Sequence, residues 1–226
     1  MESPRATAPA RRRSLSQASI LQAGLRLIDQ QGLEAFTMRK LAQELGVDPM
    51  SLYRHFENKE ALLDGVADVL WGEVALPGGG AGWEALLRSI ATSLRALAQA
   101  HPHAYVLLLN LQSLPLALLR LYDVTLEQLQ AAGFERNRAL EIICTVCSYA
   151  MGYAMVELSA LLPGRSDHAS AEMTDIGRIT EVVRRLPRET PTRLVEVACV
   201  LANCDTDAQF AFGLDLMLTS LKSRLG

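Results

Sequence analysis

Residues 37–59 read TMRKLAQELGVDPMSLYRHFENK, and this stretch decides the fold. Its pattern predicts two short helices joined by a tight turn, with a third helix starting after them. Thr37 is placed to cap the first helix, whose apolar positions Met38, Leu41, Ala42 and Leu45 recur at helical spacing. Gly46 follows, where a helix end wants a residue tolerant of positive φ. Asp48 then caps a second helix with Pro49 at its first position, where a missing N–H costs nothing. Leu52 and Phe56, one turn apart on that helix, are expected to pack back onto the first. Met50, Ser51, Tyr53, Arg54 and His55 are left at its start or on its outer side. Asn58 caps the next helix, and Lys59 in its first turn opposes the helix dipole, which predicts an anionic partner.

This is helix-turn-helix spacing, and the second helix is the candidate for a DNA major groove. Ser51, Tyr53 and His55 can hydrogen-bond phosphates. Arg39, Arg54 and Lys59 can neutralise them, and Arg54 could instead read a guanine edge. The same spacing also suits a helical hairpin inside some other all-α domain, with solvated charges on its face.

A resemblance adds to this. Residues 14–65 resemble the N-terminal domain of the TetR family of transcriptional repressors, through ILQAGLRLIDQQGLEAFTMRKLAQELGV (20–47) and the LYRHFENKEALLD signature (52–64). The resemblance implies an all-α protein. An N-terminal three-helix helix-turn-helix domain would be joined by a connector helix to a C-terminal helical ligand-binding and dimerisation domain. It also implies that Thr37, Arg39, Ser51, Tyr53, His55 and Lys59 contact the DNA backbone, while Met50 and Arg54 face base edges.

The 226 residues are half hydrophobic and 21% charged, which excludes a disordered chain and allows one or two domains with a sizeable core. No continuous apolar run reaches the ~18 residues of a membrane span. MESPRATAPARRRS at the N-terminus has no apolar segment after its basic residues, so it does not read as a secretory signal. A cytoplasmic protein without a membrane partner is expected.

The net charge of −3 hides an asymmetry. Residues 1–26 carry Arg5, Arg11, Arg12, Arg13 and Arg26 against Glu2 alone, a net of +4, which leaves −7 for the remainder. Residues 1–13 therefore read as a disordered basic arm on an acidic body, able to lie along phosphates or enter a minor groove, or to serve only as a solubilising tail. The expected division is a DNA-binding domain over 14–58 and an effector-binding and dimerisation domain over 59–226.

Helices are expected over Ser16–Gln31, with Ile20, Ala23, Leu27 and Ile28 on one face, and over the connector, 59–76. PGGGAG at 77–82 is the clearest linker. Further helices are expected at Trp83–Ala100 (interrupted by the HPH of 101–103), Ala104–Leu111, Pro115–Ala132 and Glu135–Leu161. Beyond these come two weaker stretches, near 176–186 and 192–201, and a final helix from Asp205 to Arg224. The helix at 135–161 is apolar around much of its circumference and must be buried on several sides. The last helix shows Phe210, Phe212, Leu214, Leu216, Met217 and Leu221 as an apolar stripe. Homodimerisation through 135–161 and 205–224 is expected, as the resemblance also implies. Two helix-turn-helix units one DNA turn apart would read a palindromic operator in double-stranded DNA.

The C-terminal part resembles the tetracycline-repressor subgroup at GW (82–83), AAGF (131–134) and FAFGLDLMLTSLKSRL (210–225). It departs at two histidines that the resemblance implies, a magnesium-chelating one where Leu108 stands and a second near Ala75. The small-molecule effector is therefore expected to be more apolar than a magnesium–tetracycline complex. Its candidate lining is Trp71, Leu94, Tyr105, Leu108, Gln112, Tyr122, Cys147, Met151 and Met155, each of which also fits plain core packing.

Cys144 and Cys147 share a helix face and could chelate a soft metal or oxidise, so a redox- or metal-sensing regulator is a second reading. No strand precedes them and no histidine cluster adjoins them, and buried cysteine commonly serves as a small hydrophobe. His101 and His103 are expected in an exposed corner. No Gly-rich phosphate loop, G-x-S-x-G or H-E-x-x-H is present, so neither an enzyme nor a bound cofactor or metal is expected. A helical adaptor without specific DNA binding is the third reading.

Overall fold

The computed structural model describes residues 15–78, 80–110, 113–161 and 205–225, with the backbone alone at 160 and 161. The basic arm, Gln112, the two stretches between 162 and 204, Cys199 and Cys204 lie outside the described residues. Among these, the chain forms eight α-helices and no strand. They are α1 (Gln17–Gln31), α2 (Met38–Leu45), α3 (Pro49–Tyr53), α4 (Lys59–Gly72), α5 (Trp83–Ala100), α6 (Leu116–Ala131), α7 (Arg136–Leu161) and α8 (Thr206–Lys222). A 3₁₀ turn, Tyr105–Leu108, stands where an α-helix was expected over 104–111.

The chain divides into two compact units: Met1–Glu73 with His101–Leu119, and Val74–Ala100 with Arg120–Gly226. In the first, α1 packs on α2 and α4, α2 on α3, and α4 on the 3₁₀ turn. Ile20, Ala23 and Ile28 of α1 meet a core that holds Phe36, Leu41, Leu52, Leu62, Val66 and Leu70, all essentially inaccessible to water. Burying each large aliphatic side chain there stabilises the unit by about 1.5–3 kcal/mol. Gly65 allows α4 to approach α1, since a Cβ on it would lie 2.7 Å from a methyl of Leu21.

Helix α4 ends at Gly72, with Glu73 as its cap, four residues short of the expected connector. Helix α3 stops at Tyr53, so Phe56 lies in the following turn rather than on the helix. Phe56 N–H still donates to Leu52 O at 3.0 Å, which holds that turn tight.

In the second unit α5 packs along α7, and α8 packs on both. Trp83 and Phe134 meet edge to face at 5.3 Å. Arg95, only 8% exposed, joins all three helices. Its guanidinium donates to both oxygens of Glu157 at 2.8 and 2.6 Å, pairs with Asp207 at 2.7 Å and lies over the rings of Tyr153 and Phe210.

The apolar residues of α8 do not form one stripe. Phe210, Leu214 and Leu218 face inward and are buried, whereas Phe212 and Leu216 point away and are 64% and 58% exposed. Helix α7 is long and apolar enough by length and composition to cross a membrane, although no continuous apolar run in it reaches ~18 residues. Its inner residues Ile142, Ile143, Val146, Ala150, Ala154 and Leu158 are buried in the fold.

Candidate functional site

The residues singled out in 37–59 are presented by caps that form as their sequence dictates. Thr37 Oγ1 accepts from Lys40 N–H at 3.2 Å, and Gly46 closes α2 in the left-handed conformation, φ 65°. Asp48 Oδ1 accepts from Met50 N–H at 2.8 Å with Pro49 at the first helical position, and Asn58 Oδ1 accepts from Ala61 N–H at 2.7 Å. These bonds satisfy N–H groups that a helix start otherwise leaves open.

Leu52, on the opposite side of α3, is fully buried and fixes the rotation of the helix. Met50, Tyr53 and Arg54 are consequently exposed, as are Thr37 and Arg39 at the start of α2, while Ser51, His55 and Lys59 are half-buried. Gln17 Nε2 donates to His55 O at 3.2 Å, so the start of α1 steadies the end of this group. The surface thus offers hydroxyl, amide and cationic donors around two large exposed side chains, Met50 and Tyr53.

Among the described residues, Lys59 meets a carbonyl and an aromatic ring. Its ammonium donates to the carbonyl of Phe36 at 2.9 Å and lies 5.7 Å from the centre of the Phe36 ring. Lys40 likewise donates to Ala35 O at 2.9 Å. Both lysines fasten the loop before α2, a role that composition and spacing do not reveal.

Helix α4 carries three acidic contacts to residues 101–119. Asp64 Oδ2 accepts from the Ser113 hydroxyl at 2.9 Å, and Asp68 Oδ1 accepts from Ala117 N–H at 2.7 Å. Glu73 Oε2 lies 3.2 Å from His101 Nε2, and His101 Nδ1 lies 2.6 Å from Asp29 Oδ2. His101 is therefore not in an open corner; a pair of carboxylates holds it.

Of the residues expected to line an effector site, Trp71, Tyr105 and Leu108 are buried in the first unit. Leu94 and Cys147 are buried in the second, where Tyr122, Met151 and Met155 are half-buried. Gln112 lies outside the described residues. Trp71 Nε1 is buried with no hydrogen-bond partner among the described residues. Leu108 brings no metal ligand, and no group of three His, Cys, Asp or Glu side chains able to hold a metal occurs among the described residues.

Cys144 is exposed and Cys147 buried, and neither is in a disulfide. Burial, helped by the neighbouring Cys144, pushes the Cys147 thiol up to about 12. Burial and a 3.7 Å contact with Cys144 Sγ push the Tyr122 hydroxyl up to about 12 as well. A thiol held protonated is a poor metal ligand and a poor nucleophile.

A groove of about 410 Å³ runs between α7 and α8, lined by Arg138, Glu141, Ile142, Thr145, Val146, Leu216, Met217, Ser220, Leu221 and Arg224. With Val156, Phe212 and Leu216 exposed nearby in sequence on the same two helices, α7 and α8 keep uncovered apolar surface.

Known proteins match the whole of this arrangement. Residues 20–66 match the family model of bacterial regulatory proteins of the tetR family, and residues 76–225 match that of the tetracyclin repressor-like C-terminal domain. The class D tetracycline repressor protein of Escherichia coli is 28% identical over 218 residues, covering 93% of this chain and 91% of its own. Among solved structures, the Streptomyces coelicolor TetR family protein ActR in complex with actinorhodin superposes with a TM-score of 0.77 at 26% identity. The match covers 95% of this chain and all of that one (100%). A possible TetR family transcriptional regulator from the same organism gives 0.74 at 28% identity, covering 92% of this chain and 99% of that one. A helix-turn-helix start and a helical C-terminal part matched end to end show that the chain belongs to the TetR family of DNA-binding transcriptional regulators.

Proposed function

We propose that this protein is a cytoplasmic homodimeric repressor, released from a palindromic operator by a small, largely apolar effector. The observation that carries the reading is the presentation of α3. Buried Leu52 turns Met50, Tyr53 and Arg54 outward on a helix capped at its start by Asp48. In this reading Met50 and Arg54 face base edges, while Thr37, Arg39, Ser51, Tyr53, His55 and Lys59 hold the phosphates. Lys59 would do so by giving up its contact with the Phe36 carbonyl.

The uncovered apolar side chains of α7 and α8, above all Val156, Phe212 and Leu216, support pairing with a second copy of the chain. Two recognition helices would then lie about one DNA turn apart, matching two half-sites.

For the effector, the candidate contacts are Trp71, Tyr105 and Leu108 in the first unit and Leu94, Tyr122, Cys147, Met151 and Met155 in the second, with Gln112 a candidate from sequence. The buried indole N–H of Trp71 supports an effector that offers a hydrogen-bond acceptor within an otherwise apolar outline. ActR, solved with actinorhodin bound, supports a small organic molecule as the class. Such a molecule acts by its differential affinity for two settings of α4.

Selection from random double-stranded DNA with the purified protein tests this reading. It predicts an inverted repeat whose half-sites are about one helical turn apart. Enrichment of no sequence would leave the adaptor reading in its place.

A further inference from the structure

His101 follows α5 and places each ring nitrogen against a different carboxylate. Nδ1 lies 2.6 Å from Asp29 Oδ2 of α1, and Nε2 lies 3.2 Å from Glu73 Oε2 at the end of α4. A neutral imidazole has one N–H and donates to only one of them, whereas the imidazolium donates to both. The geometry therefore belongs to the charged ring.

The surroundings make that charge matter. The side chains of His101 and Asp29 are 18% and 22% exposed, with Glu73 more open at 41%. The other oxygen of Asp29, Oδ1, is buried with no hydrogen-bond partner among the described residues. Compensation of this carboxylate thus rests on His101, and a buried charge that loses its partner is destabilising. The charged groups facing the ring are Asp29 from α1 and Glu73 from the end of α4.

We propose that His101 is a pH-operated clasp that, while protonated, ties the C-terminal end of α4 to α1 and so restrains the connector that carries the DNA-reading helices. Burial of the ring opposes its charge, but Asp29 first and Glu73 second outweigh burial, and the pKa is raised above its ordinary value near 6.5. A folded-state pKa above the unfolded one gives a contribution that is complete below about pH 6.5. That contribution fades as pH rises through the raised value. The clasp is closed in acid and opens as pH rises through the raised value. Its effect on DNA rests on the regulator reading proposed above; the clasp itself does not.

The test uses the full-length protein and two variants, His101→Gln and Asp29→Asn. The imidazole Cε1 proton of His101, assigned by its absence in His101→Gln, should titrate above the ordinary histidine value in the wild type. It should fall back toward that value in Asp29→Asn. The gap in Tm between wild type and His101→Gln should narrow as pH rises through the His101 midpoint. Operator affinity of the wild type should change across the same window, relative to His101→Gln, by roughly 5-fold or more.

A His101 midpoint at or below the ordinary value overturns the clasp. So does a Tm gap indifferent to pH. Operator pH profiles that run parallel in wild type and His101→Gln overturn its role in regulation. The titration and the melting curves need no DNA, so they decide the clasp even where no operator is found and the regulator reading fails.

Discussion

Asp68 Oδ1 accepts a hydrogen bond from the backbone N–H of Ala117 at 2.7 Å, so a side chain on α4 caps the first turn of α6. The cap is non-local, arriving 49 residues away in sequence. Asp64 repeats the contact one helical turn earlier through the Ser113 hydroxyl. Movement at the start of α6 is therefore coupled to α4 by hydrogen bonds as well as packing.

Asp68→Ala should lower stability by about 1 kcal/mol, the usual cost of losing a cap. Urea unfolding followed by circular dichroism measures it. An unchanged midpoint would mean that solvent replaces the carboxylate at the N–H of Ala117.

Arg95 and Glu157 are a buried pair, with side chains 10% and 16% exposed. Their bidentate hydrogen bonding holds the Arg95 guanidinium charged, and Asp207 adds to it. Arg95→Met leaves Glu157 uncompensated and should cost about 3 kcal/mol. Arg95→Lys should recover only part of this, because an ammonium cannot make the fork. Asp207, 83% exposed, is screened by water, so Asp207→Asn should cost less than about 1 kcal/mol. Equal losses for Arg95→Met and Asp207→Asn would refute this ordering.

A Cβ on Gly213 would collide with the hydroxyl of Tyr149 and lie 2.8 Å from Cζ. That ring cannot easily retreat. Its hydroxyl donates to Phe210 O at 2.8 Å, and its face stacks on Phe210 at 5.3 Å. Gly213→Ala should therefore destabilise by about 1–3 kcal/mol, although alanine gains about 1 kcal/mol over glycine in an open helix. Thermal melting of this single variant suffices, since a rise in Tm contradicts the packing described.

The two cysteines of α7 should separate cleanly under alkylation. Cys144 is exposed, whereas Cys147 is buried with its thiol pushed up to about 12. Iodoacetamide at pH 8 followed by peptide mapping should label Cys144 and leave Cys147 largely unmodified in the folded protein. Rapid labelling of Cys147, or its oxidation to a disulfide with Cys144, would revive the sensing reading.

The parts of this protein that sequence makes plain are those whose causes are local. Thr37, Asp48, Asn58 and Gly46 act within four residues of themselves, and each cap forms as its residue type requires. The partners of Arg95, Asp68 and His101 lie at least 28 residues away, where spacing carries no signal. Lys59 shows the same limit. Its place against the helix dipole is visible in sequence, but the carbonyl that receives it belongs to Phe36, 23 residues earlier. The apolar residues expected as one stripe on α8 divide in space, and Leu218, which packs inward, is not among them. Phe210, Leu214 and Leu218 repeat every four residues and turn inward, whereas Phe212 and Leu216 fall on the opposite side of the helix. The short 3₁₀ turn after His101 reads as a helix by composition, and tertiary packing against α4 decides otherwise.

Sequence-specific reading of DNA by α3 is decided by one binding experiment. Purified protein is titrated against DNA flanking its own gene over 50–200 mM salt, beside Tyr53→Ala and a scrambled duplex (about the range in which phosphate contacts show). The account predicts tight binding to the flanking DNA, a steep fall in affinity with salt, and a loss of roughly tenfold or more in Tyr53→Ala. Equal affinity for flanking and scrambled duplexes, unaffected by Tyr53→Ala, would contradict it.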